Sequence, residues 1–330
     1  MRVLLSLEST MCRFPGDHEP TLALYSLIGS LRALGHREFL FFYNQFTSVQ
    51  ESSKALLTAC HTFGPDIVLT TPVLALEKNN IPPECYQVIR DRMGIPVVSL
   101  WLESAPNVVT WADMYAAGTT ANVFFDTYEH WKKFTKHPDK TYWLPEPRDP
   151  TLFNCDEKIE RDLPLTFVGS VLGRIDRALN LAWVTGSGIE VKVLGGAHPS
   201  SRGSIYDYVG WLRRSKITLN FTSACTFEHL TGRTAEATMC GAMLLESESI
   251  ETSRLFSTMA EYVPFTEPFH YNNGQLEFQD TNLIERLRYY MGVGAKEAED
   301  IARAGHRKAV ETFDGRVFWD GIAKIVGVSR

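Results

Sequence analysis

The chain has 330 residues, a formal net charge of −6 and 44 % hydrophobic residues. This length predicts about two domains of roughly 100–200 residues each, with enough apolar material for a core in both. The mildly acidic balance excludes the global positive charge that is typical of nucleic-acid-binding proteins. The apolar run after Met1 turns polar at Glu8, so we expect no signal peptide, and no apolar stretch is long enough to predict a membrane span. The six cysteines form no C-x-x-C pair, which indicates reduced thiols and a cytoplasmic protein.

Short apolar runs alternate with helical patterns in the first half of the chain, which is typical of βαβ units around a parallel sheet. A strand is predicted at Val3–Leu7, followed by a polar loop over Ser9–Pro20. Thr21–Leu34 then carries leucine and isoleucine side chains on one helical face, and Gly35 ends the helix. The further strands predicted in this half are Phe39–Tyr43, Ile67–Thr70, Val97–Leu102, Val123–Phe125 and Thr141–Leu144.

A proline-rich segment, Pro145–Pro150, separates this half from the next, because its three prolines can continue neither a helix nor a central strand. A second alternating set follows. Its predicted strands are Leu165–Gly169, Ile189–Leu194, Ile217–Phe221, Ala242–Glu246 and Tyr262–Phe265, and its closing helices are Leu283–Met291 and Ala295–Glu311. We therefore predict an α/β protein of two Rossmann-like domains, residues 1–150 and 151–311, with a ligand cleft between the carboxyl ends of two sheets and an amphipathic tail at residues 312–330.

The segment Phe227–Glu246 is predicted to run from a loop through a short helix and Gly241 into a strand. Thr231–Thr234 lie where this helix begins, and the N–H groups and positive dipole end of a helix start favour a phosphate. Arg233 adds a charge-assisted contact to the same anion. Glu236 lies about one turn further along, where its carboxylate can accept hydrogen bonds from a ribose diol. A surface helix whose glutamates lie in water fits the spacing equally well.

A second candidate phosphate site, Gly169–Arg177, follows a predicted strand and precedes a helical pattern. Glycine lets the backbone approach a phosphate closely, and Arg174 or Arg177 can neutralise it. The segment is not a P-loop, because the Lys-Ser/Thr pair is missing. The alternative is a plain strand–helix turn with solvated arginines. The candidate residues here are Gly169, Ser170, Arg174 and Arg177. His198, in the loop after the next predicted strand, could contact the base or the sugar of a nucleotide sugar, or could be only a polar surface residue.

Glu228 and Glu236 are separated by seven residues and followed by Ala-Thr-Met-Cys-Gly-Ala, a pattern that resembles the E-x7-E motif of B-fold glycosyltransferases. Further segments resemble the spore-maturation-protein (CgeB-like) family of glycosyltransferases, within the group 1 glycosyl transferases. These segments are the linker Leu144–Phe153, the Phe-Val-Gly-Ser strand within Leu165–Ser170, Arg214–Phe221, and the Gly-His-Arg pattern at Gly305–Arg307. The resemblance extends over about residues 140–315, and the His229-Leu-Thr-Gly-Arg stretch departs from it where many relatives have proline.

The resemblance implies a metal-independent transfer of a sugar from a nucleoside-diphosphate sugar, of UDP or GDP type, to an acceptor. The sequence does not identify the acceptor, which can be a glycan, a small molecule, a protein or a nucleic acid. In such an enzyme Glu236 binds the nucleotide ribose and Glu228 lies near the donor sugar. The diphosphate is held by the helix start, here Thr231, Gly232, Arg233 and Thr234. The pattern is shared with retaining hexosyltransferases, and the terminal helix of such proteins returns to the first, acceptor-side domain, whereas the second domain binds the nucleotide sugar.

The acceptor side of the expected cleft contains two groups of candidate bases. Asp17 and His18 lie in the loop after the first predicted strand, and Glu103 follows another strand. Each can act as a general base toward an acceptor hydroxyl, or can simply belong to a hydrophilic turn. No D-x-D, H-x-x-H or Cys/His cluster predicts a metal site, and no permanently bound cofactor is expected. A non-catalytic sugar-nucleotide-binding protein and a nucleotide-sugar epimerase on the same scaffold are the alternative functions.

Overall fold

The computed structural model describes residues 1–8, 22–72, 80–102, 105–171, 174–195, 203–222, 229–272 and 274–328, without the side chains of residues 22–25. The chain divides into two compact units. The first contains Met1–Asp149 together with Asp314–Arg330, and the second contains Pro150–Phe313. Each unit has its own parallel sheet, which confirms the predicted α/β fold of two Rossmann-like domains.

The first unit has a six-stranded sheet in the order β2-β1-β3-β4-β5-β6, with every strand pair parallel. Its strands are β1 (Arg2–Leu7), β2 (Arg37–Phe42), β3 (Ile67–Thr70), β4 (Val97–Trp101), β5 (Ala121–Phe124) and β6 (Thr141–Trp143). The helices between them are α1 (Leu22–Ala33), α2 (Val49–Phe63), α3 (Pro83–Met93) and α4 (Pro106–Tyr115), with 3-10 turns at Tyr43–Gln45, His130–Lys133 and Pro138–Lys140. Every strand predicted in this half of the chain is confirmed: β3 has the predicted ends, and the ends of the other strands shift by no more than two residues.

The second unit has a five-stranded parallel sheet in the order β11-β10-β9-β7-β8. Its strands are β7 (Leu163–Val168), β8 (Lys192–Leu194), β9 (Ser215–Asn220), β10 (Met243–Ser247) and β11 (Val263–Phe265). The helices are α5 (Ile175–Gly186), α6 (Ile205–Arg214), α7 (Gly232–Met239), α8 (Ile250–Leu255), α9 (Leu283–Met291) and α10 (Ala295–Phe313). The strands predicted in this half are confirmed, although β8 begins three residues later than expected.

An antiparallel hairpin of β12 (Phe269–Asn272) and β13 (Gln275–Phe278) was not predicted. Every residue of β13 is exposed, so the strand contains no buried apolar run that a hydrophobic pattern would reveal. The turn between the strands includes Gly274, whose φ of +80° lies in the left-handed region that glycine adopts without strain.

The first sheet is covered by helices on both faces, which is why its strands are nearly continuous apolar runs. Successive residues of β1 point to opposite faces: Leu4 packs in the cluster that contains side chains of α2, α3 and α4, whereas Val3 and Leu5 pack in the other. The other cluster contains Trp319 from the last helix, α11 (Gly315–Val326), whose indole donates a hydrogen bond of 2.9 Å to Ser30 of α1. Helix α11 therefore belongs to the core of the first unit.

Helix ends in both units follow local sequence signals. Ser48 caps α2 by accepting a hydrogen bond from the backbone of Glu51, and Ser204 and Asp207 form a reciprocal capping box at the start of α6. The side chain of Asp314 caps α11 by accepting a hydrogen bond from the backbone of Arg316. Within the described ranges, none of the helices combines the length and the apolarity needed to span a bilayer.

Candidate functional site

The strand order of the second sheet defines a position where a ligand site is expected. Strand β7 lies between β8 and β9, so the chain leaves β7 on one side and later returns to its other side. In open parallel sheets, ligands bind outside the carboxyl ends of the strands at such a topological switch point. Gly169 and Ser170 follow β7 there, and Phe221 and Thr222 follow β9.

Arg177, in the first turn of α5, connects the ends of these two strands. Its guanidinium donates hydrogen bonds to the carbonyl oxygens of Ser170 at 3.3 Å and Phe221 at 3.2 Å, and its side chain is buried. Burial, and then the positive charges of Arg233 and Arg174, lower the pKa of Arg177 to about 9, against the opposing effect of Asp176 and Glu267. Burial first, and the neighbouring guanidinium groups second, therefore make the charge of Arg177 costly in free energy.

Two further arginines surround the same backbone. Arg174 forms an ion pair of 2.8 Å with the buried Asp176. Arg233, at the start of α7, crosses Gly169: a Cβ atom on that glycine would lie 2.6 Å from its Nη1. The guanidinium carbon of Arg233 lies 5.8 Å from the ring centroid of Phe167, within the range of a cation–π contact. The ends of β7 and β9 are thus bordered by guanidinium groups from α5 and α7.

Helix α7 begins at the same place, since Thr231 is its N-terminal capping residue. The Thr231 hydroxyl does not cap the helix and instead accepts a hydrogen bond of 2.6 Å from Asn220. The first turn of a helix carries backbone N–H groups without intrahelical partners and the positive end of the dipole, both of which favour an anion. Thr231, Gly232 and Arg233 therefore lie beside Gly169, Ser170, Arg174 and Arg177, as one anion-favouring surface. Thr234, which was predicted to belong to it, is fully buried, and its backbone N–H donates to the carbonyl of Thr231 at 3.1 Å.

Glu236 lies one turn further into α7 and is almost completely buried, with 2 % of its surface exposed. The hydroxyl of Tyr208 on α6 donates a hydrogen bond to its Oε2 atom. The surface-helix alternative, in which this glutamate lies in water, is therefore wrong. Tyr208 was not recognised in the sequence, because nothing in the spacing indicates that α6 contacts α7.

Asn220 and Glu246 were also not recognised as candidate site residues. Asn220 ends β9, Glu246 is the last residue but one of the adjacent strand β10, and the two are direct partners in the parallel ladder. Asn220 accepts a hydrogen bond of 2.8 Å from the Nε of Arg233, and its amide donates to Glu246 at 2.5 Å. The one sequence signal for them was a polar residue near the end of an apolar strand, close to a helix N-terminus of the kind that binds phosphate.

Five of the predicted site residues lie outside the described residues, namely Asp17, His18, Glu103, His198 and Glu228. In the part of the chain that the structure describes, no three His, Cys, Asp or Glu side chains are grouped as they would be around a metal ion.

Residues 163–317 match a family model described as "Glycosyl transferase-like". No curated protein sequence matches this chain.

Solved structures resemble the whole chain at low identity. The Anabaena protein HepE in complex with UDP is 12 % identical, with 99 % of this chain and 100 % of that chain covered and a TM-score of 0.61. A glycosyltransferase from Rickettsia africae is 11 % identical, with 98 % and 97 % covered and a TM-score of 0.64. The sucrose-phosphate synthase of Thermosynechococcus elongatus is 10 % identical, with 99 % and 97 % covered and a TM-score of 0.61. At these identities the likeness establishes the fold.

The family match covers the unit that contains the three arginines, α7 and Glu236, and the structural likeness extends over both units. Residues 163–317 therefore resemble the glycosyl transferase-like family, and the chain has the B fold of glycosyltransferases, with two Rossmann-like domains.

Proposed function

We propose that this protein transfers a sugar from a nucleoside-diphosphate sugar to an acceptor, and that Arg174, Arg177, Arg233 and the N-terminus of α7 bind the diphosphate. The observation that supports this most directly is Arg177, a buried guanidinium whose pKa is lowered by burial and by Arg233 and Arg174. A diphosphate carries the opposite charge and can accept several charge-assisted hydrogen bonds from planar guanidinium groups.

The chemistry follows from the charge that develops during transfer. When the bond between the anomeric carbon and the diphosphate oxygen breaks, negative charge accumulates on the departing nucleoside diphosphate. Guanidinium groups and a helix dipole that are already oriented toward that oxygen stabilise the charge without reorganising. These groups supply the positive charge that a divalent cation supplies elsewhere, so we propose a metal-independent reaction.

The remaining roles rest on position and on the family pattern. Glu236 lies one turn beyond the phosphate-side residues of α7, and we assign it to the ribose hydroxyls of the donor. We assign Glu228 to the donor sugar, with retention of anomeric configuration and a hexose as the sugar. An acceptor hydroxyl would lose its proton to Asp17, His18 or Glu103. We expect the protein to act in the cytoplasm.

The UDP-type donor is the better supported of the two predicted types, because HepE has been determined in complex with UDP and with UDP-glucose. Thermal unfolding in the presence of UDP, GDP, TDP and ADP tests the nucleotide directly. A nucleotide at 100 times its dissociation constant adds about 2.7 kcal/mol to the free energy of unfolding, which is a shift of about 4 °C for a protein of this size. We expect that shift with UDP and a small one with the others. No shift with any of the four would contradict the proposal.

Turnover separates the proposed enzyme from the two alternatives. With UDP-glucose and a panel of glycan, small-molecule and protein acceptors, we expect release of UDP together with a glycosylated product. Nucleotide binding without turnover against any acceptor would indicate a non-catalytic binding protein, and an isomerised nucleotide sugar formed without acceptor would indicate an epimerase. The anomeric configuration of the product, read by NMR, tests retention.

Replacing Gly169 by alanine is expected to weaken diphosphate binding about tenfold while leaving the fold intact. The added Cβ would lie 2.6 Å from Nη1 of Arg233, and this flexible side-chain end can move aside at little cost to folding. The guanidinium of Arg233 would then no longer lie over the end of β7. Calorimetric titration with UDP measures the change. Gly186→Ala is the matched control, because no atom lies within 4 Å of a Cβ there. Equal UDP affinities for the two variants would contradict the role of Arg233.

A further inference from the structure

A buried network of polar side chains lies beneath the start of α7. Asn220 and Glu246 face each other across the β9–β10 ladder, and both are fully buried. Glu246 accepts hydrogen bonds from the Asn220 amide at 2.5 Å, from the Thr234 hydroxyl at 2.7 Å and from the hydroxyl of Thr252 on α8. Strand ends and two helices are therefore joined through one carboxylate.

The direction of each hydrogen bond is determined by chemistry. The Nε of Arg233 can only donate, so the carbonyl oxygen of Asn220, 2.8 Å away, must face it. The NH2 group of Asn220 consequently faces the other way, toward Thr231 at 2.6 Å and Glu246 at 2.5 Å. Because the amide must donate on that side, Glu246 must accept. Asn220 thus has its carbonyl and both of its N–H groups engaged, and its orientation determines that of Arg233.

Burying this network of polar and charged groups in a protein core costs free energy. Burial raises the pKa of Glu246 from its ordinary range, against the effect of its three hydrogen-bond donors and of Arg233. Apolar side chains of similar volume are often as stabilising as a buried ionic network, or more so. Stability alone therefore does not account for a carboxylate and an amide at these two positions, directly under the residues that border the anion-favouring surface.

We propose that Asn220 and Glu246 are positioning residues for the diphosphate site: Asn220 holds the guanidinium of Arg233, and Glu246 holds Asn220 and Thr234. This inference rests on the proposed function, since it gives the network a purpose only if the site binds a diphosphate. An arginine side chain that is already oriented loses less rotamer entropy on binding and needs no reorganisation during charge development. Through this network, residues that touch no substrate set the affinity of the site for phosphate.

Comparison of UDP with uridine separates positioning from a general loss of structure. Asn220→Leu is expected to weaken UDP binding about 10- to 100-fold, because the hydrogen bonds to charged groups that depend on it are lost. Uridine affinity should change less than about threefold, since uridine has no phosphate. Glu246→Leu should behave similarly, and Glu246→Gln, which keeps an acceptor oxygen, should recover part of the UDP affinity. Asn122→Leu, at a buried strand asparagine of the first unit, is the matched control, and it should change neither affinity.

A double-mutant cycle tests whether Asn220 acts through Arg233. In an Arg233→Met background, Asn220→Leu should change UDP affinity less than about twofold, because the group it positions is already gone. Additive effects, or equal losses of UDP and uridine binding in Asn220→Leu, would overturn the inference and leave the proposed function standing. If the wild-type protein binds neither UDP nor pyrophosphate, the proposed function itself fails and the inference fails with it.

Discussion

Replacing Arg177 by methionine is expected to lower UDP affinity at least 100-fold without lowering the thermal midpoint of the ligand-free protein. The loss of affinity follows from the removal of a buried guanidinium that lies between the ends of β7 and β9. A charge-assisted hydrogen bond from that guanidinium to a phosphate oxygen would contribute about 1.5–3 kcal/mol. Calorimetric titration with UDP measures this loss.

The effect on stability follows from the sign of the pKa shift. The pKa of Arg177 is lowered to about 9 from an ordinary value of 12.5, so the charged side chain costs free energy in the folded state at neutral pH. Methionine removes this cost, although it also removes the hydrogen bonds to the carbonyls of Ser170 and Phe221.

Arg303→Met provides the control for this experiment. Arg303 is an exposed arginine on α10 that pairs with Asp300 on the same helix, so its removal should change neither UDP affinity nor the thermal midpoint appreciably. An Arg177→Met protein that binds UDP like the wild type would show that the arginines do not form the diphosphate site. A large fall in its thermal midpoint together with unchanged UDP affinity would show that Arg177 serves to hold the carbonyls of Ser170 and Phe221 and not to bind a phosphate.

Replacing Glu236 by alanine is expected to lower UDP affinity about 10- to 100-fold and to abolish discrimination between UDP and 2′-deoxy-UDP. A carboxylate that accepts hydrogen bonds from two ribose hydroxyls contributes within this range, and the contribution disappears when one hydroxyl or the carboxylate is removed. The wild type should therefore prefer UDP strongly, whereas the variant should bind both nucleotides equally and weakly. Competitive titration of the two nucleotides measures the ratio.

Two further variants sharpen this test. Tyr208→Phe removes the hydroxyl that donates to Glu236, and we expect it to change the ratio between the two nucleotides by less than Glu236→Ala does. Glu299→Ala, at an exposed position of α10 that pairs with Lys296, should leave the ratio unchanged. If Glu236→Ala keeps the wild-type preference for UDP, another residue binds the ribose and the assignment from the glutamate spacing is wrong.

The strands were predictable because a strand that is buried on both faces consists of a continuous run of apolar residues, which is visible in the local sequence. Val97–Leu102 and Leu165–Gly169 were expected as strands from apolar runs alone, and each lies within two residues of β4 or β7 in the structure. The hairpin β12–β13 contains no such apolar run in its second strand, which is wholly exposed. The motif Gly305–Arg307 was recognised from resemblance only. The structure supplies its physical reason: α10 passes so close to the carbonyl of Glu261 that a side chain at Gly305 would collide with it, and His306 lies 3.3 Å from the carbonyl of Thr238 on α7.

The candidate site was predictable only as separate pieces. Gly169–Arg177 and Thr231–Glu236 were each recognised as a strand–turn–helix that could bind a phosphate, and each by itself fitted a solvated turn or surface helix about as well. Their meeting depends on β9 lying next to β7, a pairing between segments distant in the chain. Local periodicity contains no information about which strands become neighbours, so no single segment could have indicated it.

By itself, the sequence determined the α/β class, the order of the elements and the residue types available for binding an anion, because helix and strand periods and helix-start signals are local properties. Only the tertiary structure decided that Arg177 and Arg233 approach each other closely enough for one charge to lower the pKa of the other. It also decided that Asn220 and Glu246 meet beneath them. Both results depend on strand register and on burial, which arise when distant segments pack together and lose contact with water.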